Sequence, residues 1–220
     1  MPPRWQRAPT SSPDLSALSV GPSSVPDMVT VLLFPSVLGV RAGITDTAER
    51  LRAAGHDVRV VDVLEGRTFD DTAPALDHQR SLSAEHLHAV ATAAFDDVSG
   101  PFVTVGFSAG CALAEWSAAQ RPGDVRGVVL VGGALPMQYV EASWPPGVPA
   151  QTHATRDDPF DDGPEIAAEF RSDVKAAGGE VEVFTYDGSG HLFNDPSLPA
   201  EFQPADAEQL YERLLEFVAR

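Results

Sequence analysis

From Met28 to the C-terminus, short β-branched runs alternate with segments whose apolar residues recur three and four apart, and this alternation restricts the chain more than any other feature. MVTVLLF (28–34), HDVRVVDV (56–63), FVTVGF (102–107), VRGVVLVG (125–132), PAQTHAT (149–155) and VEVFTY (181–186) read as strands. ITDTAERLRAAG (44–55), SAEHLHAVATAAF (83–95), EIAAEFRSDVKAAGG (165–179) and DAEQLYERLLEFVAR (206–220) read as helices. Gly55 and Gly178 stand at helix C-cap positions, each shortly before a strand. The near-continuous apolar character of VTVLLF and VVLVGG asks for cover on both faces of the sheet. The expected fold is α/β: a mainly parallel central sheet with helices on both faces, one domain over residues 28–220. Ligand sites in such open sheets form beyond the carboxyl ends of the strands.

Residues 1–27 are rich in Pro and Ser without helical or strand periodicity, and are expected to be a disordered tail. They lack the apolar centre and cleavage pattern of a secretory signal, and Met28, directly before the first strand, is a candidate true start. At 220 residues the chain suits one well-buried core plus this tail. With 15 Lys and Arg against 32 Asp and Glu, the formal charge of −17 argues against nucleic acid and anionic membrane surfaces as partners, because both are bound through basic patches. No apolar stretch approaches the length of a membrane span. The single cysteine, Cys111, excludes an internal disulfide framework and a cysteine-based zinc site; it fits a reducing interior, so a cytoplasmic location is expected. Nothing in the sequence sets an oligomeric state.

The chemistry begins at Gly106-Phe107-Ser108-Ala109-Gly110, a G-x-S-x-G pentapeptide at a strand-to-helix junction. A serine on so sharp a turn is held in a strained backbone, and side chains two residues to either side would clash, so glycine is required at both flanks. The small residues Ala109, Ala112, Ala114 and Ala118 then form a slim helix whose partly positive N-terminus favours a developing anion. A serine hydroxyl is a weak nucleophile and needs a base, which in turn needs an orienting group; on this kind of sheet the acid and then the histidine follow the serine in the chain.

Two histidines follow Ser108. His153 lies inside a strand and is expected to be packed there, whereas His191 lies in the glycine-rich loop YDGSGHLFND after the last strand and is the base candidate. The acid comes from RDDPFDD, with carboxylates at 157, 158, 161 and 162, a run that otherwise reads as solvated surface. Asp158 is preferred because Pro159 and Phe160 follow it directly and can fix the loop; Asp157 is the fallback. The remaining backbone donor for an oxyanion is sought in PSVLGVR (35–41), where Val37 and Leu38 supply amides.

Taken together, LLFPSVLGVRAGITDTAERLRAAGHDVRVVDV, GFSAGC, RDDPF and GSGHLF make the chain from Met28 onward resemble the dienelactone hydrolase family of α/β-hydrolases. The resemblance implies an α/β-hydrolase fold without a large lid, a triad of Ser108, Asp158 and His191, an oxyanion hole from the amides of Val37 and Ala109, and ester or lactone hydrolysis through an acyl-enzyme. It implies no metal or organic cofactor and a small-molecule partner. Leu38, Phe107, Phe160, Leu192 and Phe193 are expected to line an apolar acyl pocket.

The chain departs from the family pattern at several positions. Ser108 replaces the cysteine nucleophile of the founding members, and Ser36 stands where they carry a thiolate-activating glutamate. Cys111 replaces the second glycine of their G-x-C-x-G-G and is expected to be a small packed residue. Asp195 replaces a carboxylate-binding arginine, so an anionic substrate would be repelled and dienelactone itself is disfavoured. Two other readings stand beside the esterase: a thioesterase or peptidase on the same scaffold, and a silent binding protein, the latter favoured only by Thr155 where the family usually has glycine.

Overall fold

The computed structural model describes residues 28–220; the expected disordered tail, residues 1–27, lies outside the described residues. Six strands, β1 (Thr30–Phe34), β2 (Asp57–Val60), β3 (Phe102–Phe107), β4 (Val125–Val131), β5 (Ala150–Thr155) and β6 (Val181–Tyr186), pair in parallel throughout, in the order β2-β1-β3-β4-β5-β6. The helices are α1 (Ala42–Ala53), α2 (Thr72–Ser81), α3 (Ala84–Phe95), α4 (Gly110–Gln120), α5 (Met137–Val140), α6 (Pro164–Ala176) and α7 (Pro204–Val218).

Alternate strand residues point to opposite faces, and each face buries its own apolar set. Leu32 and Phe34 of β1, Phe102 of β3 and Val128 and Leu130 of β4 enter one core with residues of α3, α4, α5 and α6. Val31, Leu33, Val103, Val105, Val129 and Val131 enter the other with residues of α1 and α7. Each fully buried Leu, Val or Phe contributes about 1.5–3 kcal/mol of hydrophobic stabilisation, so the two-sided cover is what makes the apolar strand runs tolerable in water. No large lid stands over the carboxyl end of the sheet among the described residues.

The strand order locates the crevice. From β1 the chain passes through α1 to β2 on one side, then returns through α2 and α3 to β3 on the other. The loops leaving β1 and β3 therefore diverge to opposite faces, which leaves an opening between the carboxyl ends of these two neighbours.

Three elements depart most clearly from the sequence reading, the four-residue helix α5 among them, which has no sequence counterpart. β2 ends at Val60 rather than Val63 because the carboxylate of Asp62 accepts the amides of Leu64 at 3.0 Å and Gly66 at 2.6 Å, folding the segment into a turn. Helix α2 had no sequence counterpart: it carries Pro74 and buries only Ala75, so it lacks an apolar stripe.

Candidate active site

Ser108 follows β3 directly and holds φ at 51°, a left-handed backbone that side chains rarely adopt. Its amide donates to the carbonyl of Val131 at 2.7 Å, and its own carbonyl accepts from Cys111 N–H at 2.9 Å as α4 begins. The flanking glycines are sterically enforced. A Cβ on Gly106 would lie 2.5 Å from Cα of Cys111, and one on Gly110 would lie 2.2 Å from the carbonyl oxygen of Phe34.

Three loops bring Ser108, His191 and Asp158 together. Nε2 of His191 lies 2.7 Å from Oγ of Ser108, and its Nδ1 lies 2.8 and 3.0 Å from the two carboxylate oxygens of Asp158. A carboxylate only accepts, so Nδ1 carries the proton and Nε2 is free to accept from the serine hydroxyl. Asp158 is further fixed by the amide of Phe160, which donates to Oδ1 at 2.8 Å, and the Phe160 ring lies 4.7 Å from the imidazole. Asp157 is not brought to His191; it is exposed, and its amide donates to Gly188.

The loop that carries His191 is tied at several points. Gly190 donates to Oε1 of Gln203 at 3.0 Å and accepts from the hydroxyl of Thr155 at 3.0 Å, while Leu192 N–H donates to Glu201 at 2.7 Å. Thr155 thus braces the histidine loop rather than disturbing it. His153 is packed within the sheet as expected, 2.9 Å from the hydroxyl of Tyr186 and 3.2 Å from Oε1 of Gln151; burial, aided by the charge of Arg213, drives its pKa down to about 3.

The site opens into a cavity of about 390 Å³. Of the residues expected there, Leu38, Phe160 and Leu192 line it, as do Val37, Ser108, Ala109 and His191. Phe107 and Phe193 do not line it; both are fully buried in the core shared with α1 and α7. Phe107, as the last residue of β3, points to the face opposite Gly106, and Phe193 packs 4.7 Å from the ring of Tyr186. The amides of Val37 and Ala109 have no hydrogen-bond acceptor among the described residues, whereas the amide of Leu38 is taken by Oγ of Ser36 at 3.2 Å.

Asp195 also differs from expectation. It is buried beside Arg41 at 3.6 Å, accepts from Ser197 through Oδ1, and does not line the cavity, so its charge is met before it can act on a ligand. No Lys or Arg lines the cavity; Asp162 and Glu201 do. Cys111 is buried, and burial together with the neighbouring Glu115 carboxyl raises its thiol pKa, which keeps it from acting as a thiolate.

Several lining residues escaped the sequence reading. Gly132, Gly133, Ala134 and Leu135 directly follow β4, where the rule that sites form after strands points to them; Thr72 and Leu76 come from α2 and have no such signal. Glu115, fully buried on α4, accepts the amide of Leu135 at 3.0 Å and so holds that loop from behind. Among the described residues no helix is long and apolar enough to cross a membrane, and no group of three or more His, Cys, Asp or Glu is placed to hold a metal ion.

This architecture recurs in solved structures. A dienelactone hydrolase-like promiscuous phosphotriesterase from metagenomic libraries is 19% identical with a TM-score of 0.72, the match covering 87% of this chain and 85% of that one. A dienelactone hydrolase from Anabaena variabilis is 18% identical with a TM-score of 0.60, covering 86% and 85%. A thioesterase domain from the curacin biosynthetic pathway is 13% identical with a TM-score of 0.59, covering 89% and 92%. At these identities the likeness speaks for the fold, and no curated protein matches the chain. At the level of sequence, the model of the dienelactone hydrolase family matches residues 15–220, nearly the whole length. Fold and sequence match agree, and this chain belongs to the dienelactone hydrolase family.

Proposed function

We propose that the protein is a serine-dependent hydrolase that cleaves uncharged esters or lactones of small molecules through an acyl-enzyme. Ser108 Oγ attacks the acyl carbon while its proton passes to Nε2 of His191, and Asp158 holds the imidazole in the matching tautomer and stabilises the imidazolium. The oxyanion of the tetrahedral intermediate is received by the amides of Val37 and Ala109 at the N-terminal end of α4. Collapse breaks the ester C–O bond, and His191 returns the proton to the departing alcohol oxygen. Water then attacks the acyl-enzyme by the same route, releasing the acid and restoring Ser108.

The observation that carries this reading is the 2.7 Å approach of His191 Nε2 to a serine held at φ 51° between two glycines that cannot be replaced. The unpaired amides of Val37 and Ala109 support the oxyanion role. The cavity wall, which carries two carboxylates and no cation, supports an uncharged substrate over an anionic lactone. A cytoplasmic enzyme agrees with the buried free thiol of Cys111. A panel of 4-nitrophenyl esters of increasing acyl length, assayed with wild type and Ser108→Ala, tests the reading. Loss of several orders of magnitude in kcat/KM in the variant is expected. Equal rates would remove the mechanism.

A further inference from the structure

One side chain joins three segments that border the cavity of Ser108. Arg41 closes the loop after β1 that carries Val37, at the N-terminal end of α1, and its side chain is only 11% exposed. On one side, Nη1 donates to the carbonyl of Phe69 at 2.6 Å and to Oδ1 of Asp70 at 2.9 Å. On the other, Nε donates to Oγ of Ser197 at 3.1 Å and Nη2 to the carbonyl of Ser197 at 3.3 Å, with Oδ2 of Asp195 3.6 Å from Nε. A planar guanidinium holds acceptors on opposite sides at once, which the single nitrogen of a lysine does not.

The two sides differ in what else holds them. The Ser197 side is fixed without Arg41: Oδ1 of Asp195 accepts from the amide and hydroxyl of Ser197, the Asp195 amide donates to Leu192, and the carbonyl of Asn194 accepts from Tyr211. The Phe69 side leads into α2, which buries only Ala75 and whose N-cap residue, Asp71, makes no side-chain cap bond. Besides Arg41, the lead-in is tied by the Phe69 amide, which donates to the carbonyl of Leu38 at 3.1 Å. The side chain of Asp70 is 94% exposed, so its ion pair adds little and the bond to the Phe69 carbonyl matters more. Yet α2 brings Thr72 and Leu76, one turn apart, to the cavity wall. An element with so little buried surface stays where its tethers hold it.

Building on the hydrolase reading above, we propose that Arg41 is a positioning residue for substrate binding: it anchors the lead-in of α2 to the turn at Asp195–Ser197 and so sets where Thr72 and Leu76 stand against a bound substrate. None of the contacts among Ser108, His191 and Asp158 runs through it. Its loss therefore weakens the binding of substrates long enough to reach Leu76 and leaves the chemical step as it was.

Asp195→Asn is the reference protein, because removing Arg41 alone would leave a buried carboxylate uncompensated. Against it, Arg41→Met combined with Asp195→Asn is expected to raise KM for 4-nitrophenyl octanoate about tenfold and for 4-nitrophenyl acetate less than about twofold, with kcat unchanged for both. Adding Leu76→Ala to each protein closes a double-mutant cycle, in which the Arg41 change is expected to lose most of its effect. An unchanged KM, the same factor for both esters, a fall in kcat, or an effect undiminished in Leu76→Ala would overturn the assignment. Arg41→Lys keeps a charge beside Asp195 and is expected to shift KM the same way by a smaller factor; it decides the matter if the combined variant does not fold, and an unchanged KM there refutes the proposal. Hydrogen exchange followed by mass spectrometry needs no turnover. Faster exchange over residues 67–82, with residues 190–203 unchanged, supports the tether. Unchanged exchange over 67–82 refutes it, even if a wild type inert on every ester were to refute the hydrolase reading.

Discussion

A Cβ added to Gly132 would lie 3.1 Å from Cε1 and 3.3 Å from Nδ1 of His191. Gly132 directly follows β4 with φ at 70°, so it serves both a backbone that favours glycine and a wall on which the imidazole rests. Gly132→Ala is expected to displace the ring and to lower kcat about a hundredfold while the protein still folds. At Gly133 the nearest atom to an added Cβ is 3.5 Å away, an ordinary contact, and Gly133→Ala is expected to cost less. Steady-state kinetics of the two variants, with near-UV circular dichroism to establish folding, measures the contrast.

The two adjacent aspartates are expected to differ sharply. Asp158 reaches both the imidazole and the amide of Phe160, whereas Asp157 faces solvent. Asp158→Asn would let Nδ1 sit against an amide and lose the tautomer, with kcat falling about ten-thousandfold. Asp157→Asn should remain within about twofold of wild type. Similar losses in both would mean that the carboxylate is not acting through His191.

Core and pocket phenylalanines can be told apart by stability. Phe193 is fully buried, and Phe193→Ala is expected to destabilise by about 3–5 kcal/mol through lost contacts and a cavity. Half-exposed Phe160 should cost about 1 kcal/mol or less when truncated, with its effect appearing in substrate preference instead. Denaturant melts of the two variants give both numbers.

Glu115 gives the fold a pH dependence of its own. Burial raises its carboxyl from 4.5 to about 8, against the opposing hydrogen bond from Leu135 and with a further rise from Asp173. The folded state therefore holds this proton more tightly than the unfolded chain does. The stability tied to it is full below about pH 4.5 and is lost as pH rises through about 8. Glu115→Gln keeps an acceptor for Leu135 and cannot ionise, so its denaturation midpoint is expected to fall less than that of wild type between about pH 5 and about pH 9. Parallel curves would show that folding does not raise the pKa of the Glu115 carboxyl.

Much of the molecule was legible because its signals are local. β3 and β6 begin and end where FVTVGF and VEVFTY do, since each apolar run is closed by residues that leave the sheet. The serine elbow was legible for the same reason: its two glycines answer to contacts within the turn and to the neighbouring strand end at Phe34. What failed depends on partners far off in the chain. Phe107 and Phe193 were drawn to the pocket by sequence proximity to Ser108 and His191, but side-chain direction alternates along a strand and turns within a loop. Asp195 looked like an obstacle to anions until Arg41 was found beside it. Helix α2 supplies Thr72 and Leu76 to the cavity with only Ala75 buried, so periodicity had nothing to register.

The central claim is that the hydroxyl of residue 108 is the nucleophile. Treating the folded protein with a fluorophosphonate and measuring the intact mass, followed by peptide mapping, tests it directly. The expected result is a single phosphonyl adduct on Ser108, absent from Ser108→Ala and much slower to form in His191→Ala. Folded wild type that stays unmodified, or an adduct that persists in Ser108→Ala, would contradict it.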